Sequence, residues 1–138
     1  MTECIFCKII NGEIPSTIVY SDESTFAFLD INPANKGHTL VIPKKHYETF
    51  NEIPTSEIWH LFEVVQKLSK AVEKGLKAEG YNILSSNRRL AGQEVDHAHI
   101  HVIPRFKGDE MQVRLGWNYK KYEEGEAKTV AKRIKKHI

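Results

Sequence analysis

Three histidines at alternating positions carry the strongest chemical signal in this chain of 138 residues. His97, His99 and His101 are separated by single apolar residues, and this period of two predicts a β-strand that projects the three imidazoles from one face. Because imidazole titrates at about pH 6.5, such a row can provide a nucleophile and a proton donor at cellular pH. A polar strand face that happens to contain histidine and a metal site are the alternatives.

A pair of cysteines forms the second chemical signal. Cys4 and Cys7 are the only cysteines of the chain and are separated by two residues. This spacing fits a redox pair, two thiols without a special role, or half of a zinc site, which would need two further ligands such as imidazoles. The spacing alone leaves these three interpretations open.

The elements that must position these residues follow from hydrophobic periodicity. β-Branched and aromatic runs predict strands at 17–20 and 25–31, forming a hairpin, and at 38–42, 81–85 and 97–103. Apolar residues at steps of three and four between Ile58 and Leu76 predict one long helix that begins at Thr55 or Ser56 and ends at Gly80. A weaker helical period follows at 127–138. This order predicts an α+β domain with a mostly antiparallel sheet.

Composition excludes several classes of protein. A hydrophobic content of 41% in 138 residues is ordinary for one globular domain, and no apolar run approaches the roughly 18 residues that cross a bilayer. The N-terminus lacks the features of a signal peptide, so we expect a cytoplasmic protein without a membrane partner. A net charge of +2 does not indicate a nucleic-acid partner. The basic segment 120–138 is the only feature that suggests a nucleic-acid end-processing activity.

The residues around the histidine row resemble a known family. Residues 92–105, together with upstream blocks at 5–15, 26–31 and 37–46, resemble the histidine triad (HIT) family, nearest to its Hint-like branch. The resemblance covers residues 4–105, and residues 106–138 are an extension that we expect to pack on the same domain. It implies a HIT-like fold, with a mostly antiparallel five-stranded sheet, one long helix and a C-terminal helix, in a homodimer whose two sheets join.

The resemblance implies a nucleotide hydrolase or transferase that acts at the α-phosphate of adenosine (purine) nucleotides. His99 would form a transient nucleotidyl-imidazole, and His101 would contact the phosphate and help to protonate the leaving group. His38 would lie behind His99 and determine its tautomer. Phosphoramidates and dinucleoside polyphosphates are the implied substrates, and a nucleotide-binding regulatory protein without turnover is the alternative.

The resemblance also implies a nucleotide pocket. Asp30 would accept both ribose hydroxyls, and apolar residues would surround the base, with core packing as their alternative role: Phe6, Ile9, Ile14, Phe28 and Ile31. The phosphate would be held by Asn87, Gly92, Gln93 and the amide of Val95.

A structural zinc ion is a further implication of the resemblance. Some relatives bind zinc through the cysteine pair, a histidine of the Pro-Lys-x-His block and the first histidine of the triad, which here are Cys4, Cys7, His46 and His97. Such a set leaves no open coordination position, so the metal would be structural. Proton transfer would then depend on His99 and His101.

Three residues depart from the family pattern. Glu94 stands where relatives often have a small hydroxyl residue, so either its carboxylate turns away from the phosphate or the substrate brings a cation. Arg88 and Arg89 are predicted to contact additional phosphates, with two solvated arginines as the alternative. For the segment with Trp117, we weigh a lid against a helix packed on the sheet.

Overall fold

The computed structural model describes residues 3–109 and 120–138. Its strands are β1 (Ile18–Ser21), β2 (Thr25–Leu29), β3 (Thr39–Pro43), β4 (Gly80–Leu84) and β5 (Ile100–Arg105). Its helices are α1 (Ile5–Ile10), α2 (Thr55–Leu76) and α3 (Glu126–Lys135), with short 3₁₀ turns at Phe50–Glu52 and Arg89–Ala91.

The five strands form one open sheet in the order β1-β2-β3-β5-β4, and every neighbouring pair is antiparallel. The predicted α+β class with an antiparallel sheet is therefore confirmed. The predicted hairpin is β1–β2, and its turn is closed by Asp22, whose Oδ1 accepts the amide protons of Ser24 and Thr25 at 3.0 and 2.8 Å.

The alternation of side chains divides the core between the two faces of the sheet. On one face, α2 buries an apolar stripe against Ala27, Val41, Ala98, Ile100 and Val102. On the other face lies a second cluster, formed by Phe6 of α1 with Phe26, Phe28, Leu40 and Ile42. Because Ala98, Ile100 and Val102 point to α2, the histidines between them belong to the face that α1 covers.

The predicted helix is α2, but its C-terminal end differs from the expectation. The helix begins at Thr55 after Pro54 and ends at Leu76, because Lys77 adopts a left-handed conformation with φ of 57°. Gly80 does not end the helix. It begins β4 instead, opposite Arg105.

The histidine strand also begins later than predicted, at Ile100 rather than at residue 97. His97 and His99 precede the ladder because the backbone there bonds elsewhere. The amide of Ala98 donates to the carbonyl of Tyr47 at 2.7 Å, and the carbonyl of His97 lies 2.7 Å from the His99 ring.

The C-terminal helical period corresponds to α3, which has no buried residue. Trp117 lies outside the described residues, so both roles weighed for its segment remain predictions, as does the packing of residues 106–138 on the domain. Within the described ranges, no helix has the length and apolar character needed to span a membrane.

Candidate active site and metal centre

The imidazole of His99 presents an unprotonated nitrogen to a cavity. Its Nδ1 lies 2.7 Å from the carbonyl oxygen of His97, and a carbonyl only accepts, so in the neutral imidazole Nδ1 carries the proton and Nε2 has the lone pair. The side chain is 7% exposed and meets the edge of the Phe6 ring at 5.2 Å between centroids. These contacts give His99 the tautomer and the fixed orientation that a nucleophile needs.

His38 and His101 form a hydrogen-bonded pair with defined tautomers. The amide of Ala34 donates to Nδ1 of His38 at 2.9 Å, so the His38 proton resides on Nε2. That nitrogen lies 2.9 Å from Nδ1 of His101 and donates to it. The proton of His101 is therefore on Nε2, which makes His101 an N–H donor beside the lone pair of His99.

This pairing corrects the expected position of His38, which was behind His99. In the sheet, β3 and β5 pair so that Leu40 lies opposite His101. His38 precedes Leu40 by two residues and therefore lies on the same face, diagonal to His101. The carbonyl of His97 takes over the orienting role for His99, and sequence patterns contain no signal for a backbone acceptor.

Burial keeps this pair neutral. It lowers the pKa of His101 to about 4, with further lowering by His99 and His38. Burial also lowers the pKa of His38 and outweighs the opposite effect of Asp30, whose Oδ2 lies 3.6 Å from Nε2 of His38. Both rings are thus uncharged at pH 7, as the assigned tautomers require.

A cavity of about 950 Å³ brings most of the predicted site residues together. His38, His99 and His101 lie on its wall with Asp30, Gly92 and Val95. The apolar part of the wall contains all five residues predicted to surround a base: Phe6, Ile9, Ile14, Phe28 and Ile31. The volume lies within the range of roughly 300–1,000 Å³ that small-molecule sites occupy.

Two predicted phosphate ligands do not line this cavity. The side chain of Asn87 accepts the amide proton of Phe50 at 2.7 Å and donates to Ser85 Oγ at 3.0 Å. The side chain of Gln93 accepts the Arg88 amide proton at 2.7 Å and donates to the carbonyls of Glu48 and Val95 at 2.7 and 2.9 Å. In this structure both side-chain amides are therefore engaged by protein groups.

Ser86 and Glu94 are further polar residues of the wall, which also contains Ser16, Thr17 and Asn32. Ser86 Oγ lies 4.0 Å from the point where a Cβ on Gly92 would stand, and Gly92 has a φ of +95°. Sequence reasoning missed Ser86, although a hydroxyl directly after a strand would have been a usable signal. Glu94 is one of the residues that line the cavity.

The two loop arginines are engaged by protein groups. Arg89 donates to the carbonyls of Gln93 and Glu94 at 2.6 and 2.7 Å, and Arg88 lies 3.8 Å from a carboxylate oxygen of Glu48. Neither lines the cavity. Of the described residues on the cavity wall, the only ones with formal charge at neutral pH are Asp30 and Glu94, both acidic.

A separate group of side chains is positioned to bind a metal ion. The ligand atoms of Cys4, Cys7, His46 and His97 all lie within 4.8 Å of one another. Nδ1 of His97 is 3.5 Å from Cys4 Sγ and 3.7 Å from Cys7 Sγ, and Nδ1 of His46 is 3.5 Å from Cys7 Sγ. The predicted ligand set is therefore brought together.

The chemistry of these donors fits a metal. His97 donates its Nε2 proton to the carbonyl of Pro43 at 2.8 Å, which leaves the Nδ1 lone pair directed at the cysteines. Burial raises the pKa of the Cys7 thiol to about 11, and the neighbouring Cys4 contributes. A thiolate at this position requires a cation, and a coordinated metal deprotonates a thiol.

Asp30, His38 and His101 form a second group with similar spacing. Here the amide of Ala34 occupies the His38 Nδ1 lone pair, so the hydrogen atom is on Nε2, between the two rings. A metal would have to displace that hydrogen atom. The arrangement fits a proton-donating pair better than a metal centre.

Comparison with known proteins gives consistent matches along the chain. The family model described as HIT domain matches residues 11–108. An uncharacterized HIT-like protein of Methanocaldococcus jannaschii is 58% identical over 113 residues, covering 82% of this chain and 87% of that protein. An adenosine 5'-monophosphoramidase of Saccharomyces cerevisiae is 40% identical over 114 residues, covering 83% and 69%.

Solved structures agree with these matches. A HIT family member from Bacillus subtilis superposes with a TM-score of 0.91 at 39% identity and covers 99% of this chain and 97% of its own. A zinc-bound histidine triad family protein from Mycobacterium smegmatis has a TM-score of 0.76 at 32% identity and covers 99% of both chains. With most of its length matched by the family model, this chain belongs to the HIT domain family.

Proposed function

We propose that this protein is a nucleotide hydrolase that cleaves the bond between the α-phosphate of an adenosine (purine) nucleotide and an amine, through a nucleotidyl-histidine intermediate. The observation that carries the proposal is the pair of complementary tautomers in one cavity. Nε2 of His99 has a lone pair, and Nε2 of His101 has a proton. A nucleophile and a proton donor on the same wall are the minimum that this reaction needs.

The reaction balances over two steps. In the first, His99 Nε2 bonds to phosphorus, the P–N bond breaks, and the leaving nitrogen takes the Nε2 proton of His101. In the second, water attacks phosphorus, the bond to His99 breaks, and a proton of the water returns to His101. The His38 Nε2–H bond to Nδ1 of His101 stabilises that ring while it lacks its proton.

The charge of the cavity supports a phosphoramidate over a dinucleoside polyphosphate. Asp30 and Glu94 are the described charged wall residues, and neither arginine of the loop lines the cavity. A polyphosphate would bring several negative charges beside these carboxylates, whereas a nucleoside phosphoramidate brings one negative charge and an amine. The S. cerevisiae relative named adenosine 5'-monophosphoramidase supports the same choice.

The remaining wall residues suit the nucleoside. Asp30 uses Oδ1 to accept the Asn32 amide proton at 2.9 Å, which leaves acceptor positions for ribose hydroxyls. The Phe6 and Phe28 rings meet edge to face at 5.4 Å and, with the aliphatic residues beside them, offer an apolar surface for a base. The backbone amide of Val95 is the proposed contact of the phosphate, and Gly92, whose own amide donates to the carbonyl of Arg89 at 2.9 Å, lies on the wall beside it.

We also propose that the metal of the Cys4, Cys7, His46 and His97 group is zinc. Two thiolates and two imidazoles are a common zinc set, and four protein ligands leave no open position. When bound, zinc would act structurally by joining α1 to the sheet. Cytoplasmic location and a homodimer complete the proposal.

A turnover panel with a matched pair of histidine variants tests the activity. Adenosine 5'-phosphoramidates of primary alkylamines and diadenosine polyphosphates are offered to the wild type, to His99→Ala and to His60→Ala, which makes the same change outside the cavity. We expect amide cleavage by the wild type and His60→Ala, and loss of turnover with retained AMP binding in His99→Ala. A wild type that binds AMP without turnover would instead support a regulatory nucleotide-binding protein.

A further inference from the structure

The amide of Ala34 determines where the His38 proton resides, so whatever holds that amide also acts on the acid of the site. The loop around it has few packing contacts, because residues 31–34 and 36 are exposed. Hydrogen bonds hold it instead. The carbonyl of Asn35 accepts the His38 amide proton at 3.0 Å, and the side chain of Asn35 anchors the turn from outside.

That anchor reaches the end of β5. Nδ2 of Asn35 donates to the carbonyl of Pro104 at 3.0 Å and to Oδ2 of Asp109 at 2.5 Å. These contacts span 69 and 74 residues of sequence, so they connect the loop to a distant part of the sheet. Asn35 directly follows Ala34, so this anchor lies one residue away from the amide that faces Nδ1 of His38.

Asp109 is itself held on several sides. It is 7% exposed and accepts the Phe106 amide proton at 2.9 Å. Arg105 donates to it from Nε at 3.3 Å and from Nη2 at 3.2 Å, and the same guanidinium donates to Asn82 of β4 at 2.8 Å. The carboxylate therefore offers Asn35 an acceptor that is held directly by Arg105 and by the Phe106 amide.

We propose that Asn35, held by Asp109, is a positioning residue for the proton donor of the site. The path runs from the Asn35 side chain to the Ala34 amide, from there to His38, and from Nε2 of His38 to His101. The proposal rests on the proposed hydrolase function for its kinetic consequence. Its structural content, the tautomer of His38, is independent of any activity.

The kinetic consequence is a dependence on the leaving group. A primary amine must be protonated as it leaves, whereas 4-nitrophenolate leaves without a proton. We compare an adenosine 5'-phosphoramidate of a primary alkylamine with the adenosine 5'-(4-nitrophenyl) phosphate ester in wild type, Asn35→Ala, Asp109→Asn and the control Asn82→Ala. Like Asn35→Ala, the control replaces an asparagine by alanine. It removes the contact between Asn82 and Arg105 but leaves the contact between Asn35 and Asp109.

For Asn35→Ala we expect kcat on the amide to fall by about tenfold or more with KM unchanged, because a positioned acid is worth about 10²–10⁴ in rate. Turnover of the nitrophenyl ester should change by less than about twofold, since it does not use the acid. Asp109→Asn should change in the same direction, and Asn82→Ala should change neither substrate. An equal loss on both substrates, or no loss on the amide, would overturn the proposal.

A second measurement does not depend on turnover. The ¹⁵N spectrum of the histidine rings, with His38 assigned by its loss in His38→Gln, should show the Nε2–H tautomer in wild type and a mixture of tautomers in Asn35→Ala. If wild type cleaves neither substrate but this change occurs, the proposed function fails and the positioning role stands. If wild type cleaves the amide and the His38 tautomer is the same in both proteins, the positioning role fails and the function stands.

Discussion

Nε2 of His38 lies 2.9 Å from Nδ1 of His101, and the donor in this contact is His38. The direction follows from the Ala34 amide on the far side of the His38 ring. The proposed acid is therefore assembled from two imidazoles and one backbone amide, whereas the proposed nucleophile involves only His99 and the carbonyl of His97. The two halves of the site are oriented by different parts of the chain.

The buried pair makes the fold sensitive to acid. Because the pKa of His101 is about 4 in the folded protein and about 6.5 in an unfolded chain, the unfolded state binds more protons between these values. The free energy of unfolding should fall as pH falls through this window. His101→Gln should reduce the slope by up to about 1.4 kcal/mol per pH unit, the value for one proton. Urea titrations at several pH values measure this slope.

The control for that measurement is His137→Gln, which replaces an exposed histidine near the end of the chain. It should have the wild-type slope. A wild-type slope in His101→Gln would contradict the assignment of a neutral, buried ring.

His60 should show the opposite pH dependence. Its hydrogen bond to Asp22, with Nε2 2.6 Å from Oδ2, raises the pKa of His60 above its ordinary value. The stabilisation is therefore complete below about pH 6.5 and is lost as pH rises through the raised pKa. His60→Gln should lower the free energy of unfolding at pH 5.5 by less than about 1 kcal/mol, because solvent screens this partly exposed pair.

Above the raised pKa, His60→Gln and wild type should have the same stability in the same urea titrations. Asp22→Asn serves as the partner control, since it removes the charge that raises the His60 pKa. A stability difference that grows with pH would contradict the ion pair.

The proposed zinc should stabilise the protein, by an amount that grows with the logarithm of the free zinc concentration. At free zinc 100 times the dissociation constant, a site that exists only in the folded state adds about 2.7 kcal/mol. Elemental analysis should find one zinc per chain in wild type and none in Cys7→Ser. The melting temperature of wild type should fall on chelation, and that of Cys7→Ser should not respond to zinc or to chelator.

The alternation of His97 to Val102 was enough to predict that the three histidines lie on one face and Ala98, Ile100 and Val102 on the other, because burial follows period two. The orientation of His99 was not predictable. It depends on a free carbonyl at His97, which exists because the Ala98 amide bonds to Tyr47 instead of to a strand. Contacts between residues distant in the chain decide which backbone groups remain available, and a local pattern does not contain them.

The same reason explains the roles of Asn87 and Gln93. Their residue types suit a phosphate, and they lie at the two ends of the polar segment that contains Gly92. The structure satisfies their side chains with the amide of Phe50 and the carbonyl of Glu48, which lie 37 and 45 residues away in the sequence. The composition of a loop predicts polar contacts but not which partner takes them.

The predicted homodimer should form through β4. Both β1 and β4 are edge strands, but the pairing of β1 with β2 is irregular between Ile18 and Tyr20, which impairs further pairing. β4 is regular over five residues and exposes Tyr81 and Ile83. Ile83→Lys should therefore shift the protein to a monomer in sedimentation experiments, whereas Ile18→Lys, on the other edge, should leave the dimer intact. A dimer lost only in Ile18→Lys would contradict this assignment.

Glu94 should select the leaving group by charge. It lines the cavity, and among the described wall residues the only other one with a formal charge is Asp30. An amine that carries a second, cationic group would be attracted to this carboxylate, and a polyphosphate would be repelled by it. For Glu94→Gln we expect kcat/KM to fall by about threefold to tenfold on an adenosine phosphoramidate with a cationic amine, the effect of a partly screened charge of about 1 kcal/mol. The same variant should keep wild-type rates on the amide of a neutral alkylamine and should gain activity on diadenosine polyphosphates.

Glu73→Gln, on the exposed side of α2, removes a carboxylate outside the cavity and should change none of these rates. Equal effects of Glu94→Gln on cationic and neutral amines would show that this carboxylate acts on the loop and not on the substrate.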